Sequence, residues 1–323
     1  MAISEPIKTV DVITRQDVAD IYHRGLLDLV FDAAQVHRQA QNSAEIQCAS
    51  LLSVKTGDCP ENCSYCPQSA HHQTQIESES LMTVDAVAEA ADAAKTNGAD
   101  RFCLGAAWRE VTDGPDFDRI LEMVRAVKAT GLETCVTLGM LTPPQAVRLR
   151  EAGLDYYNHN LDTGPSFYAN IVTTRCYDDR LRTLEAVREA GLKVCCGGIL
   201  GMGENHNDRI DLLYELARQT PQPESVPINT LVAVEGTPLA KESPVPWDDL
   251  VRVIATARLL MPHAKIRLSA GRLKMNETLQ AFCFLAGANS VFLGDRLLTT
   301  ANSSIDADFT LLDRLGLRPL EPS

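Results

Sequence analysis

Low-complexity tracts are missing from this 323-residue sequence, so the whole chain is available to fold. Aromatic residues are scarce at 5%, yet 45% hydrophobic against 23% charged residues is a soluble globular composition with material for one large core. No apolar stretch is long enough to span a bilayer, which excludes a helical membrane anchor. The opening Met1-Ala2-Ile3-Ser4-Glu5-Pro6 lacks a basic region followed by an apolar run, so no secretory signal is read there and the cytoplasm is the expected compartment. Cations are outnumbered: 30 Lys and Arg face 43 Asp and Glu, for a formal charge of −13. A field of that sign repels nucleic-acid phosphates and anionic lipid, leaving small molecules and other proteins as the expected partners.

Cysteine, in contrast, is plentiful, with ten residues at positions 48, 59, 63, 66, 103, 135, 176, 195, 196 and 283. A chain of this length with no secretion signal does not use them as a disulfide framework. Metal binding or catalysis is therefore the expectation for those that cluster.

The spacing predicts a helical segment over Thr14–Gln41, with Thr14-x-x-Asp17 as a capping box and an apolar face of Val18, Ile21, Leu26 and Val30. Residues 1–45 are accordingly read as an N-terminal helical extension that caps the fold, and 46–323 as the main domain. Strands are expected at Ile46–Lys55, Arg101–Ala106, Glu133–Leu138, Asp155–Asp162, Lys193–Leu200, Val226–Val232, Ile266–Ala270 and Ser290–Leu293. Amphipathic helices lie between them, at Val84–Lys95, Asp116–Ala129, Pro144–Ala152, Asp178–Ala190, Asn207–Arg218, Trp247–Leu260 and Glu277–Leu285. Gly98, Gly153, Gly191 and Gly287 recur at helix-to-strand junctions, where a left-handed residue suits a helix end. Alternating units of this kind predict an α/β fold, a (β/α)8 TIM-type barrel, with a doubly wound open sheet as the alternative.

Strand parity locates the site. Phe102 and Leu104, Val136 and Leu138, Val194 and Cys196, and Ile266 and Leu268 form the apolar faces that must meet the helices. The opposite parity sends Cys103, Cys135, Cys195 and Arg267 into the lumen, which most barrels fill with branched apolar residues. A polar lumen is costly unless something is bound there. Each cysteine alone reads as a small buried hydrophobe; together on one face they point to a metal centre. Cys196 falls on the outer face, although its neighbourhood leaves some thiol chemistry open.

Just past the first strand, Cys59, Cys63 and Cys66 form C-x3-C-x2-C, framed by Pro60 and Pro67, with Tyr65 before the last cysteine. Thiolates hold iron–sulfur clusters, and three ligands leave one iron of a [4Fe–4S] cluster open. Structural zinc with His71 or His72 as the fourth ligand is the competing reading. The triplet resembles the radical S-adenosylmethionine superfamily. Gly197-Gly198-Ile199-Leu200-Gly201-Met202-Gly203-Glu204 is similar to that superfamily's adenine-contacting G-x-I-x-G-x-x-E segment, although glycines at a strand end are weak testimony on their own.

Longer matches narrow the resemblance. Lys55-Thr56-Gly57-Asp58-Cys59-Pro60-Glu61, Phe102-Cys103-Leu104-Gly105-Ala106-Ala107-Trp108-Arg109, Tyr157-Asn158-His159-Asn160-Leu161-Asp162-Thr163 and Arg267-Leu268-Ser269-Ala270-Gly271-Arg272 resemble the biotin synthase family, from about Ile46 to Gly294. The resemblance implies a [4Fe–4S] cluster on Cys59, Cys63 and Cys66 and a [2Fe–2S] cluster on Cys103, Cys135, Cys195 and Arg267. It also implies S-adenosylmethionine held by Tyr65, Asn160, Asp162, Arg180 and Ile199, with Arg180 on the cofactor's carboxylate. Asn158, Asn160 and Asn229 would face the substrate, and strand-end turn chemistry is the alternative for Asn158 and Asn160. Arginine as an iron ligand is not expected from its chemistry, since a guanidinium lacks a free lone pair.

The reaction implied is sulfur insertion into dethiobiotin. Reductive cleavage of S-adenosylmethionine would give a 5′-deoxyadenosyl radical that abstracts hydrogen, and the second cluster would donate sulfur. A flavodoxin or ferredoxin as reductant and a homodimer are implied as well. The rivals are another radical enzyme, of metallocofactor assembly, and a zinc- or cluster-binding protein without turnover.

Overall fold

The computed structural model describes residues 13–320, so the first twelve residues of the helical extension, including the segment examined for a leader, lie outside the described residues. Thr14 opens the chain as expected: its amide donates to Asp17 Oδ2 at 2.8 Å while Asp17 returns its own amide to Thr14 Oγ1 at 3.2 Å. The helix behind this box does not run through to Gln41. It divides into α1 (Arg15–Tyr22) and α2 (Leu26–Ala40), with Gly25 as the cap of the second. Glycine is a poor helix former, and Arg252 Nη1 donates to the carbonyls of Tyr22 at 2.6 Å and Arg24 at 2.7 Å, satisfying the broken end.

The barrel follows as β1 (Glu45–Lys55), α3 (Val84–Thr96), β2 (Arg101–Ala106), α4 (Pro115–Ala129), β3 (Glu133–Thr137), α5 (Pro143–Glu151) and β4 (Tyr156–Asn158). Next come α6 (Pro165–Tyr168), α7 (Tyr177–Glu189), β5 (Lys193–Cys195), β6 (Gly198–Leu200), α8 (His206–Ala217), β7 (Ser225–Thr230) and α9 (Trp247–Leu260). The chain ends with β8 (Lys265–Leu268), α10 (Glu277–Leu285), β9 (Ser290–Leu293), α11 (Ile305–Arg314) and β10 (Arg318–Pro319). The strands pair in parallel in the order β1-β2-β3-β4-β5-β7-β8-β9, with β6 beside β7. Pairing of Gln47 with Ser290 through Ser50 with Leu293 closes the circle. That closure excludes the open doubly wound sheet and makes the fold a (β/α)8 barrel. β10, α6 and α11 had no counterpart in the sequence reading; β10 extends β1 at its start through Glu45 and Ile46.

One expected strand is broken. Lys193–Leu200 divides into β5 and β6 around Cys196 and Gly197, because the chain there presses on β7. A Cβ on Gly197 would stand 1.9 Å from the Pro227 carbonyl oxygen. The junction glycines behave as their spacing predicts: Gly98, Gly153, Gly191 and Gly287 all have positive φ, between 77° and 113°.

The core is an aliphatic layer between sheet and helices. Phe102, Leu104, Val136, Leu138, Val194, Cys196, Ile266 and Leu268 all belong to it, as parity requires. A separate small cluster inside the barrel gathers Ala49, Cys103, Cys135, Tyr156, Cys195, Phe292 and Leu297. Helices α1 and α2 add Val18, Tyr22, Leu29, Val30 and Ala33 to the outer core, against α8 and α9. No helix among the described residues is long and apolar enough to cross a membrane.

After β8, Arg272 is buried and donates through Nη2 to Asp308 Oδ2 at 2.7 Å and to the Phe292 carbonyl at 2.9 Å. This pair fastens α11 to the barrel. Asp308→Ala leaves the guanidinium without its counter-charge and is expected to cost about 3–5 kcal/mol in urea unfolding. A loss below about 1 kcal/mol would show that water reaches the pair.

Candidate active site

Because every barrel strand runs the same way, the strand ends and the loops after them collect at one face. A cavity of about 330 Å³ lies there, and every site residue named from the sequence lines it: Cys59, Cys63, Cys66, Tyr65, Cys103, Cys135, Cys195, Arg267, Asn158, Asn160, Asp162, Arg180, Ile199 and Asn229.

The first cysteine set sits on the loop between β1 and α3. The loop is shaped by its own backbone, with Ala70 N–H donating to the Cys59 carbonyl at 2.8 Å and Cys66 N–H to that of Cys63 at 2.9 Å. A second segment, residues 171–175, braces it. Thr173 N–H donates to Asn62 Oδ1 at 3.0 Å, Asn62 Nδ2 donates to Thr173 Oγ1 at 2.6 Å, and Ser64 N–H donates to the Ile171 carbonyl at 2.9 Å. Burial pushes up the thiols of Cys59, Cys63 and Cys66, the last to about 12. They therefore carry protons until a metal group displaces them.

The zinc reading loses its fourth ligand. His71 Nε2 lies 3.1 Å from the Pro60 carbonyl oxygen and His72 Nε2 lies 3.0 Å from that of Cys63, so both rings brace the loop backbone. Among the described residues no three His, Cys, Asp or Glu side chains converge on a single ion.

The second set lies deeper. Cys103 and Cys135 are register partners on β2 and β3, and Cys195 on β5 stands beside Asn158. The Cys135 thiol contacts both others, which draws the Cys103 and Cys195 thiols down and pushes its own up. Arg267 and Arg101 pull the first two in the same direction. Arg267 is buried, donating through Nε to Ser290 Oγ at 2.8 Å and through Nη2 to Gln47 Oε1 at 2.9 Å, with Phe292 under its plane. Both hydrogen-bond partners are neutral. A buried cation without a carboxylate calls for an anion, and three thiolates around iron and sulfide supply one. The donor set thus fits an iron–sulfur cluster.

Between the two sets stand the polar side chains expected at the cofactor and substrate. Arg180 is paired with Asp162 through Nη2 and donates to Tyr168 Oη through Nε at 3.0 Å, which leaves other guanidinium N–H groups uncommitted. Asp162 is one of two non-glycine residues with positive φ among the described residues, at 68°, a conformation that residue types other than Gly, Asn and Asp rarely adopt. Asn158 donates to the Cys195 sulfur at 3.2 Å and accepts from Thr137 Oγ1 at 3.0 Å. Asn229 bridges the Gly198 carbonyl at 3.0 Å and the Ala270 amide at 3.1 Å. These asparagines position backbone as well as facing the cavity; each amide keeps spare donor or acceptor capacity. Glu204, at the end of the glycine segment, turns back to accept from the amides of Gly201 at 2.9 Å and Met202 at 2.7 Å and is held by Arg209 Nε at 2.8 Å. Cys196 packs in the outer core, where burial pushes its thiol up to about 12, so it takes no part in the lumen chemistry left open for it.

Sequence reasoning missed Arg175, Glu61 and His159, all of which line the cavity. Arg175 had no motif to mark it. Glu61 and His159 stood inside quoted segments, but only the folded chain shows them buried.

Residues 53–216 match the radical SAM superfamily model, and residues 227–318 match the Biotin and Thiamin Synthesis associated domain. Biotin synthase of Methylorubrum extorquens strain PA1 is 61% identical over 305 residues, which cover 94% of this chain and 91% of that protein. The chain belongs to the biotin synthase family. The biotin synthase of Myxococcus xanthus is 58% identical over 306 residues, covering 95% of this chain and 88% of that one. Among solved structures, methylornithine synthase superposes with a TM-score of 0.78 at 20% identity, covering 96% and 94% of the two chains. The [FeFe]-hydrogenase maturase HydG of Carboxydothermus hydrogenoformans also superposes at 0.78, with 17% identity over 95% of this chain and 76% of that one. These two share the barrel with the biotin synthase family; at such identity they speak for the fold alone.

His159 and His37 are both buried with Nε2 unpartnered. Burial holds His159 well below its ordinary 6.5 and His37 at about 3, so both stay neutral when folded. Below 6.5 the unfolded chain takes up protons that the folded chain refuses, and stability falls with pH. Asp100, raised by burial to about 6, binds a proton in the folded chain and offsets part of this below that pH. Urea unfolding between pH 7.5 and 5.5 is expected to show the loss, with each histidine contributing up to about 1.4 kcal/mol per pH unit. In a His159→Asn variant the slope near pH 5.5 should shrink by about one proton; an unchanged slope would mean that His159 protonates in place.

Proposed function

We propose that Cys59, Cys63 and Cys66 hold the [4Fe–4S] cluster, that Cys103, Cys135, Cys195 and Arg267 hold the [2Fe–2S] cluster, and that S-adenosylmethionine and dethiobiotin lie between them. One observation carries the reading: a single cavity is lined by both cysteine sets, with Asn158, Asn160, Asp162 and Asn229 among its other walls. As a member of the biotin synthase family the chain is an enzyme that converts dethiobiotin to biotin. When bound, the first cluster and S-adenosylmethionine supply a 5′-deoxyadenosyl radical after one-electron reduction, and the second cluster supplies sulfur.

The protein's own residues bind, orient and exclude water. Tyr65 and Ile199 both pack against the small cluster around Cys63, Tyr168 and Met202 and would flank the cofactor's nucleoside. Asp162, fixed by Arg180, keeps acceptor capacity for two ribose hydroxyls, and Asn160 donates alongside it. A guanidinium has five N–H donors, so Arg180, while holding Asp162 and Tyr168, would keep donors for the cofactor's carboxylate. The amides of Asn158 and Asn229 complement a ureido ring, which offers both donors and an acceptor. Trp108, Phe292, Leu297 and Leu298 supply apolar wall that keeps a reactive carbon from water.

A small reducing protein, flavodoxin or ferredoxin, supplies the electron, and the enzyme works as a homodimer in the cytoplasm, where its free thiols remain reduced. The division at residue 45 is one of architecture: residues 46–323 hold the chemistry and the preceding helices stiffen the flank.

Anaerobic turnover after iron–sulfur reconstitution, with dethiobiotin, S-adenosylmethionine and reductant, tests the assignment by assaying 5′-deoxyadenosine and biotin together. Cys63→Ala is expected to abolish both products. Cys135→Ala should abolish biotin while deoxyadenosine stays within about tenfold of the parent. Biotin formation by Cys135→Ala at the parent rate would remove the second cluster from the lumen.

A further inference from the structure

Residue 175 lies outside every motif used so far, yet its side chain touches the first cysteine set. Arg175 has a side chain 6% exposed, and its Nη2 stands 3.6 Å from the Cys63 sulfur. Nε donates to Tyr168 Oη at 3.2 Å, which fixes the plane of the guanidinium. Nη1 faces Glu61 Oε1 at 3.7 Å, and Arg109 Nε approaches the same oxygen at 3.7 Å. Glu61 is itself only 3% exposed, and that oxygen accepts no hydrogen bond. Thr174, next in the chain, holds the other carboxylate oxygen through Oγ1. A buried cation is thus anchored beside one cysteine sulfur, with a buried anion behind it.

We propose that Arg175 is a positioning residue that keeps a positive charge against the Cys63 sulfur and so sets how readily the [4Fe–4S] cluster accepts its electron, with Glu61 as the opposing charge. This rests on the assignment of that cluster to Cys59, Cys63 and Cys66. Reduction adds one electron to a cluster that is already anionic through its thiolates. A fixed cation at hydrogen-bond range of a ligand sulfur favours the reduced form, the more so where water is excluded. A carboxylate behind that cation weakens the effect. Arg180 is the arginine held near the cofactor's ribose-binding carboxylate, whereas Arg175 is turned to the loop, so the two divide the work.

The test uses the full-length, anaerobically reconstituted enzyme without S-adenosylmethionine, following the reduced [4Fe–4S] signal by electron paramagnetic resonance in a redox titration. At the potential where the parent is half reduced, Arg175→Met should show a ratio of reduced to oxidised cluster about tenfold lower, a midpoint shift of about 59 mV for one electron. Arg175→Lys, which keeps the charge, should stay within about threefold, and Glu61→Gln should move the ratio upward. S-adenosylmethionine affinity, measured separately by equilibrium binding, should change little in Arg175→Met. A fully loaded Arg175→Met with the parent's ratio would overturn the proposal, as would a loss confined to cofactor affinity. Should Arg175→Met fail to load its cluster, Glu61→Gln decides: an upward shift supports the role and an unchanged ratio removes it. Retention of the parent signal in Cys63→Ala would instead sink the cluster assignment beneath it.

Discussion

A positive charge held inside a barrel with only neutral hydrogen-bond partners is the constraint around which this structure is arranged. Arg267 lies among Gln47, Ser290 and the face of Phe292, whereas Arg101, stacked 3.5 Å from the centre of the Tyr156 ring, has Glu133 as its counter-charge. Burial of such charge is unfavourable until an anion arrives. The three thiols beside it are the means of binding one. Stability must therefore come from elsewhere, and it does: the outer layer between sheet and helices is continuous and aliphatic. Packing is delegated to one face of each strand, and the other face is freed for chemistry.

The first cysteine loop shows the complementary arrangement. Segment 171–175 and the rings of His71 and His72 brace it, so much of its shape is held by contacts within the protein. Pre-ordering of this kind removes much of the entropic cost of closing a loop around a cluster. Glu204 does the same for the glycine segment by collecting the amides of Gly201 and Met202.

Much of this was legible before any coordinates. Parity alone sent Cys103, Cys135, Cys195 and Arg267 to one side and Cys196 to the other, because a parallel barrel strand has a single helix-facing side. The four junction glycines carried their conformation in their spacing. What stayed hidden depended on contacts between distant segments. The break at Gly197 exists because β7 crowds it, and the break before Gly25 is stabilised by Arg252 from α9. Pairing of Arg180 with Asp162 depends on the folded approach of α7 to the turn after β4. Arg175 and the burial of Glu61 could not be read locally, since each is defined by the other. The short pairing of β10 with β1 was missed because two residues carry no periodicity.

Closure between β1 and β9 has a consequence for how the molecule is made. Gln47 finds its partner in Ser290, 243 residues later, so a nascent polypeptide cannot shut the barrel before that segment has been made. Until Ser290–Leu293 emerges, the sheet carrying Cys103, Cys135 and Cys195 has two free edges, and those thiols face an open trough rather than a sealed lumen. The order of translation thus sets a window in which the interior is accessible to iron, sulfide and oxidants alike, and the arrival of β9 is what ends it.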